Sequence, residues 1–112
     1  MVKFNSKLKD KWVRALRGKK YKQGKRYLKH KGKYCCLGVL CDVAGVDIKE
    51  TDNELIQDRN TYSLFLLPEG TQNELAEQND DGRKFKDIAG FINKHIGAKG
   101  QLKGKWNEYY GE

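Results

Sequence analysis

Lysines and tyrosines alternate between Gly18 and Tyr34, and they are the residues of this chain best suited to chemistry. Ammonium groups attract phosphate, and the flat rings of Tyr21 and Tyr27 suit stacking on nucleobases. Lysine outnumbers arginine here, which favours attraction of phosphate over bidentate recognition of a base. The stretch therefore predicts capture of an anionic, phosphate-bearing ligand. The alternative is an ordinary lysine-rich face in water.

The predicted ligand site contains ten residues. We expect its cations to hold phosphate, two tyrosines to stack on a base, and the polar side chains to recognise the ligand's polar edges. An alternative for the last two is structural, with Asn79–Gly82 forming a tight turn that also caps the next helix. The ten are Lys19, Lys20, Tyr21, Lys22, Gln23, Lys25, Arg26, Tyr27, Asn79 and Asp80.

The charge is distributed unevenly along the 112 residues. Residues 1–34 hold fourteen Lys or Arg and one acid, residues 42–87 hold twelve acids and five bases, and the whole chain has a net charge of +8. A segment this basic attracts polyanions and speeds encounters with them. It could also pair with the acidic part of the same chain or of a second copy, so the oligomeric state stays open.

The three cysteines do not predict a metal site or a catalytic centre. Cys35, Cys36 and Cys41 lie in one apolar run without a second Cys/His pair, whereas zinc needs about four converging ligands. Buried, reduced thiols are therefore expected, and no metal or cofactor is predicted. A nucleophilic cysteine served by His30 is a minor alternative, because such a thiol needs a lowered pKa and a nearby base.

Two amphipathic helices and one fully apolar helix are predicted to position these residues. Leu8, Trp12, Ala15 and Leu16 form a stripe over 5–17, which Asn5 or Ser6 caps and Gly18 ends in a left-handed conformation. The run 35–44 is apolar almost all round and predicts the central helix, in which Gly38 admits a neighbouring backbone and Gly45 provides the stop. A second stripe predicts a helix over 83–96, weakened by Gly90 and closed by Gly97.

The remaining elements are shorter. A hairpin turning at Lys31-Gly32 and a strand over 62–67 predict a small sheet, while 46–61 reads as a polar, acidic loop. Thr71 and Glu74 form a capping box for a helix ending near Gln78. The fold class is thus a compact, mostly helical α+β domain over 1–97, with a central buried helix and a two- or three-stranded sheet. A basic, aromatic tail over 98–112 is expected to dock, and no membrane segment is evident.

Several segments together resemble a family of small tailed-phage proteins. They are Trp12-x-x-Ala15-Leu16-Arg17, Tyr21-Lys22-Gln23-Gly24, Tyr34-Cys35-Cys36-Leu37-Gly38-Val39-Leu40-Cys41-Asp42 and Asn79-Asp80-x-Gly82-x-x-Phe85. The resemblance covers most of 12–96. It implies an accessory protein of host takeover or counter-defence that works in the cytoplasm of an infected bacterium. Two segments depart from the family's pattern. Residues 18–33 contain more lysine and arginine than is usual in the family, and the tail contains more glycine, lysine and aromatic residues.

These observations lead to one main hypothesis and three alternatives. The main hypothesis is a protein that sequesters a phosphate-bearing ligand, such as a nucleotide immune signal, without turnover. The first alternative is a nucleic-acid-binding protein without sequence preference. The second is an inhibitor directed at a host enzyme or defence protein, and the third, a minor one, is a small nucleotide hydrolase.

Overall fold

The computed structural model describes residues 3–46 and 67–103, which contain four helices and one small sheet. The compact, mostly helical α+β class expected from the sequence is confirmed. No helix within these two ranges is both long and apolar enough to cross a bilayer. In chain order the elements are α1 (Ser6–Arg17), β1 (Lys22–Gln23), β2 (Lys29–His30), β3 (Lys33–Tyr34), α2 (Cys36–Val43), α3 (Glu69–Asp80) and α4 (Phe85–His95).

Helix α1 forms where its apolar stripe predicts it. Asn5 is the N-cap, and its Oδ1 accepts a hydrogen bond of 2.8 Å from the Leu8 N–H. Leu8, Trp12 and Leu16 are buried, and the Trp12 indole N–H donates to the Cys36 carbonyl. The expected left-handed Gly18 is wrong, because its φ of −84° and ψ of −169° are those of extended backbone. The chain therefore continues from α1 toward β1 with an extended backbone at Gly18.

Helix α2 is the buried centre of the fold, as predicted. Every residue from Cys36 to Cys41 is buried. A Cβ added at Gly38 would lie 1.8 Å from the Leu28 carbonyl oxygen, so the expected close backbone approach is confirmed. Gly45 follows the helix with a φ of +79°, and this left-handed conformation ends it at the predicted place.

The sheet has the order β1-β3-β2. Strands β2 and β3 form the predicted antiparallel hairpin, in which Lys31 (φ 53°) and Gly32 (φ 78°) have the two positive φ angles of a type I′ turn. Strand β1 pairs with β3 in parallel and supplies the third strand. Of the strand expected over 62–67, residues 62–66 lie outside the described residues, as do most of the acidic loop and the aromatic cluster Trp106–Tyr110.

Helix α3 begins earlier and ends later than expected. The capping box is wrong: the helix starts at Glu69 after Pro68, and the Thr71 hydroxyl, inside the first turn, donates to the Gly100 carbonyl. Proline suits this start because it has no N–H to satisfy and its φ is already compatible. The tight turn expected over 79–82 is present but overlaps the end of the helix, because α3 continues to Asp80 and the Gly82 N–H then donates to the Asn79 carbonyl (3.1 Å), with a φ of 96° at Gly82.

Helix α4 buries the predicted stripe, which contains Phe85, Ile88, Ala89 and Ile92. It begins at Phe85 rather than Arg83, and Ile96, not Gly97, is its C-cap. Ile96 then forms an antiparallel bridge with Leu102, so the chain after the helix turns back along its end. Leu102 is buried, and the segment 96–102 therefore packs on the core.

Candidate functional site

The hairpin and the loop before it enclose a small basic cavity, which we call the hairpin pocket. Its volume is about 280 Å³, near the lower end of the roughly 300–1,000 Å³ typical of ligand cavities. Three lysines and no acidic residue of the described ranges line it. The lining residues are Gly24, Lys25, Tyr27, His30, Lys31 and Lys33.

Two aromatic rings form one wall of the hairpin pocket. Tyr27 is 39% exposed, and no other large hydrophobic side chain of the described residues is as accessible. Its ring packs on the His30 imidazole with 4.9 Å between centroids and a tilt of 37°. The His30 Nδ1 atom is buried and has no hydrogen-bond partner among the residues that the structure describes. Buried polar atoms in folded proteins almost always have a partner, so this nitrogen marks the pocket as chemically unsatisfied.

The backbone around the pocket is held in a specific shape. The Gly24 N–H donates to the Tyr34 carbonyl (2.7 Å), and a Cβ at Gly24 would lie 2.8 Å from the Lys33 Cβ, so only glycine fits here. Arg26 has a φ of 74°, a left-handed conformation that is uncommon outside glycine. Its N–H donates to Asp80 Oδ1 (2.8 Å), which anchors this strained residue to α3.

Gln23 and Asn79, expected to recognise the ligand, instead bond to each other and to the fold. The Gln23 Nε2 group donates to Asn79 Oδ1 (3.0 Å) and to the Arg83 carbonyl (2.7 Å). The Asn79 side chain is fully buried, and its Nδ2 group donates to the Gly24 carbonyl (2.8 Å). These amides are occupied by protein groups, so the expected ligand contacts must be corrected to structural ones.

The same two amides cap helices that lack a cap of their own. Neither Cys35 before α2 nor Lys84 before α4 has a side-chain cap hydrogen bond. Asn79 Oδ1 accepts from the Cys36 N–H (3.2 Å), and Gln23 Oε1 accepts from the Phe85 N–H (3.0 Å). Helix starts leave such N–H groups without internal partners, so these long-range bonds fix where α2 and α4 begin.

Tyr21 is not available to stack on a base. Its ring is 8% exposed and packs edge-on against Tyr34 with 5.0 Å between centroids. Its hydroxyl donates to Asp42 Oδ2 at the exposed end of α2. Burial, together with this hydrogen bond, raises the pKa of the Tyr21 phenol above its ordinary range. Tyr21 therefore serves as a core residue, and its expected stacking role is corrected.

The remaining predicted residues divide between the pocket and the open surface. Lys25 and Tyr27 line the pocket, and the Arg26 and Asp80 pair supports its edge. Lys19, Lys20 and Lys22 are exposed and do not line it. The pocket residues that sequence analysis missed are His30, Lys31 and Lys33. The predicted turn was a usable signal for them, because a hairpin turning there pairs His30 with Lys33, as observed.

The cysteines behave as core residues. Cys35, Cys36 and Cys41 are buried and are not part of a disulfide within the described residues. Burial raises the pKa of the Cys36 thiol well above its ordinary value, which is the opposite of what a reactive cysteine requires. Within residues 3–46 and 67–103, no group of three or more Cys, His, Asp or Glu side chains is placed to hold a metal ion.

Comparison with known proteins gives one match. Residues 4–67 match the model of a family described as a domain of unknown function, DUF8296. The chain belongs to this family. The matched segment contains the whole hairpin pocket and α2, whereas α3, which supplies Asn79 and Asp80, follows it. No curated protein and no solved structure matches the chain.

Proposed function

We propose that this DUF8296 protein binds an anionic, phosphate-bearing ligand of nucleotide size in the hairpin pocket and holds it without turnover. The observation that carries the proposal is the combination of three lysines, an exposed tyrosine and an unpartnered buried nitrogen around one cavity. Each of these groups serves a different part of such a ligand.

The lysines supply the attraction for phosphate. Lys25, Lys31 and Lys33 line the cavity from three places in the chain, namely the loop, the turn and strand β3. No acidic side chain of the lining offsets their charge. A concave surface with one sign of charge concentrates ligands of the opposite sign.

The aromatic wall suits the ring of a nucleotide. Tyr27 presents an exposed face, and base–aromatic stacking contributes about 1–3 kcal/mol per base. Exposed side chains such as Tyr27 change rotamer on the nanosecond scale, and the proposal includes a rearrangement of the pocket wall that opens the His30 Nδ1 atom to a ligand group. A cavity of about 280 Å³ accommodates one phosphate and part of one ring, which favours a small nucleotide over a polymer.

The proposal has two further parts: the protein does not convert its ligand, and it acts in an infected bacterium. The thiols, which are the nucleophiles weighed in the sequence, lie in the core away from solvent, and this supports binding rather than chemistry. The resemblance to tailed-phage proteins supports an accessory role in an infected bacterium, where the protein would sequester a nucleotide immune signal. The alternative of a protein-directed inhibitor stays a prediction from the sequence.

Calorimetric titration with nucleoside monophosphates, cyclic dinucleotides and inorganic phosphate tests this function. We expect at least one nucleotide to bind more tightly than inorganic phosphate, and Lys25→Ala/Lys33→Ala to weaken that binding tenfold or more. The control is Lys94→Ala/Lys99→Ala, which removes the same charge from exposed positions outside the pocket and should change affinity less than twofold.

Two results would contradict the proposal. Equal losses in the two double variants would show that net charge alone attracts the ligand. Mass spectrometry of the ligand after incubation should return it intact, and a cleaved product would replace sequestration with hydrolysis.

A further inference from the structure

We infer that the solvent-facing side of α1 is a second anion-binding surface and that it binds the sugar–phosphate backbone of nucleic acid. We call this surface the α1 basic face. It consists of cations on the exposed side of the helix and immediately before and after it, and all of them are exposed. They are Lys3, Lys7, Lys11, Arg14, Arg17, Lys19 and Lys20.

The spacing of these cations makes a linear stripe rather than a scattered charge. Lys7, Lys11 and Arg14 follow the i, i+4, i+7 pattern, so they lie on one side of α1 and extend over roughly 10 Å at 1.5 Å per residue. Lys9 is not part of the stripe, because its ammonium group donates to the Ile96 carbonyl. The charges thus repeat about once per helical turn.

The surface beside the stripe is a groove with cations on its walls. Among residues 3–46 and 67–103, those that line this groove of about 480 Å³ include Lys3, Lys7, Lys11 and Arg14 and no acid. The single acid of α1, Asp10, lines a neighbouring groove of about 330 Å³ together with Arg14 and Arg17. Of the cations in the larger groove, Lys3, Lys7 and Lys11 therefore lie outside the groove that this acid lines.

The apolar side of α1 explains why the partner is nucleic acid and not a membrane or a protein. Leu8, Trp12, Val13 and Leu16 are all buried in the core. A membrane-binding helix needs such an apolar side free to insert into lipid, and protein interfaces are centred on buried apolar anchors. Binding to a phosphate backbone needs only cations at repeated intervals, which this face provides.

The α1 basic face is separate from the hairpin pocket. Val43 and Ala44, at the C-terminal end of α2, line the groove. The hairpin is joined to the N-terminal end of α2, where the Cys35 N–H donates to the Leu28 carbonyl. Because the two surfaces lie at opposite ends of the central helix, variants in one leave the other intact.

Fluorescence anisotropy with a labelled 20-base-pair duplex, measured from 50 to 200 mM KCl, tests this inference. The logarithm of affinity falls against the logarithm of salt concentration with a slope of about −0.9 per phosphate contact. If four cations of the α1 basic face each contact one phosphate, the slope is about −3.6, and affinity falls about 150-fold between 50 and 200 mM KCl. We expect Lys7→Ala/Lys11→Ala to make the slope shallower by about 1.8, and circular dichroism to show an unchanged helix content.

As a control, each double variant is also tested in the binding assay of the other surface. Lys25→Ala/Lys33→Ala removes the same charge from the hairpin pocket and should leave the slope for duplex unchanged. Lys7→Ala/Lys11→Ala should in turn leave nucleotide binding unchanged, so failure of this inference is distinguishable from failure of the proposed function. Each of three results would overturn the inference: equal changes of slope in both variants, no duplex binding at 50 mM KCl, or binding only to anionic phosphatidylserine vesicles.

Discussion

At the scale of single residues, Asn79 and Gln23 each make three side-chain hydrogen bonds that connect distant parts of the chain, and Asn79 is the fully buried one of the two. Its carboxamide receives hydrogen bonds from Gln23 and the Cys36 N–H and donates one to the Gly24 carbonyl, all in a fully buried position. Removing it takes a partner from the buried Cys36 N–H and from the part-buried Gly24 carbonyl, and a buried polar group left without a partner costs about 1–3 kcal/mol.

Asn79→Ala should therefore lower the free energy of unfolding by roughly 2–4 kcal/mol. Urea denaturation measures this value. Asn93→Ala, at an exposed position of α4, is the matched control and should change it by no more than about 0.5 kcal/mol. A change of similar size in both variants would mean that the Asn79 bonds do not stabilise the fold.

The Tyr21 phenol predicts a pH dependence with a definite sign. Burial and the hydrogen bond to Asp42 raise its folded-state pKa above the value of about 10 that it has in the unfolded chain. At pH values above about 10 the folded state then binds more protons than the unfolded state, so stability falls as the pH rises. Below pH 10 this contribution is fully present.

The free energy of unfolding of wild type minus that of Tyr21→Phe isolates the contribution. We expect this difference to be constant from pH 7 to 9 and to shrink from pH 10 upward. Tyr27→Phe removes a phenol from an exposed ring of the pocket wall and serves as the comparison. Parallel pH profiles for wild type and Tyr21→Phe would contradict the assignment.

At the scale of elements, the contact between α2 and the hairpin depends on Gly38. A methyl group there would overlap the Leu28 backbone, which cannot move without carrying the hairpin away from the core. At Gly90 on α4, no atom of the described residues outside the adjacent helix backbone lies within 4 Å of the corresponding position. Two glycine-to-alanine substitutions in helices of this chain should thus have opposite effects.

Gly38→Ala should destabilise the protein by about 3 kcal/mol or more, since overpacking against backbone has no cheap relief. Gly90→Ala should stabilise it by about 0.5–1 kcal/mol through helix propensity. Thermal unfolding followed by circular dichroism measures both. Destabilisation by both substitutions would show that α4 is as closely packed at Gly90 as α2 is at Gly38.

The elements predicted from the sequence are those set by local patterns. The apolar stripes of α1 and α4, the uniformly apolar α2 and the Lys31-Gly32 turn all depend on neighbouring residues, and all are present. The starts of α2 and α4 were not predictable, because Asn79 and Gln23 cap them from distant parts of the chain. The capping box failed for the related reason that Thr71 bonds to Gly100 instead of its own helix.

At the scale of the whole molecule, the basic N-terminal charge divides between two surfaces. Composition predicted the class of ligand, but a count of charges carries no information on which lysines share a cavity. That depends on the hairpin, which brings Lys33 back beside Gly24, and on Tyr21 turning inward to the core. The fold thus selects Lys25 and Tyr27 from the predicted set and adds His30.

The most direct test of nucleotide binding in the hairpin pocket is the nitrogen resonance of its imidazole. The chain has only two histidines, so protein labelled with ¹⁵N-histidine gives signals from His30 and His95 alone. His95 packs on Phe91 of α4 and provides an internal reference. We expect saturating nucleotide to shift the His30 Nδ1 resonance and to leave His95 unchanged. An unchanged His30 signal under saturation, or equal shifts of both histidines, would contradict the account.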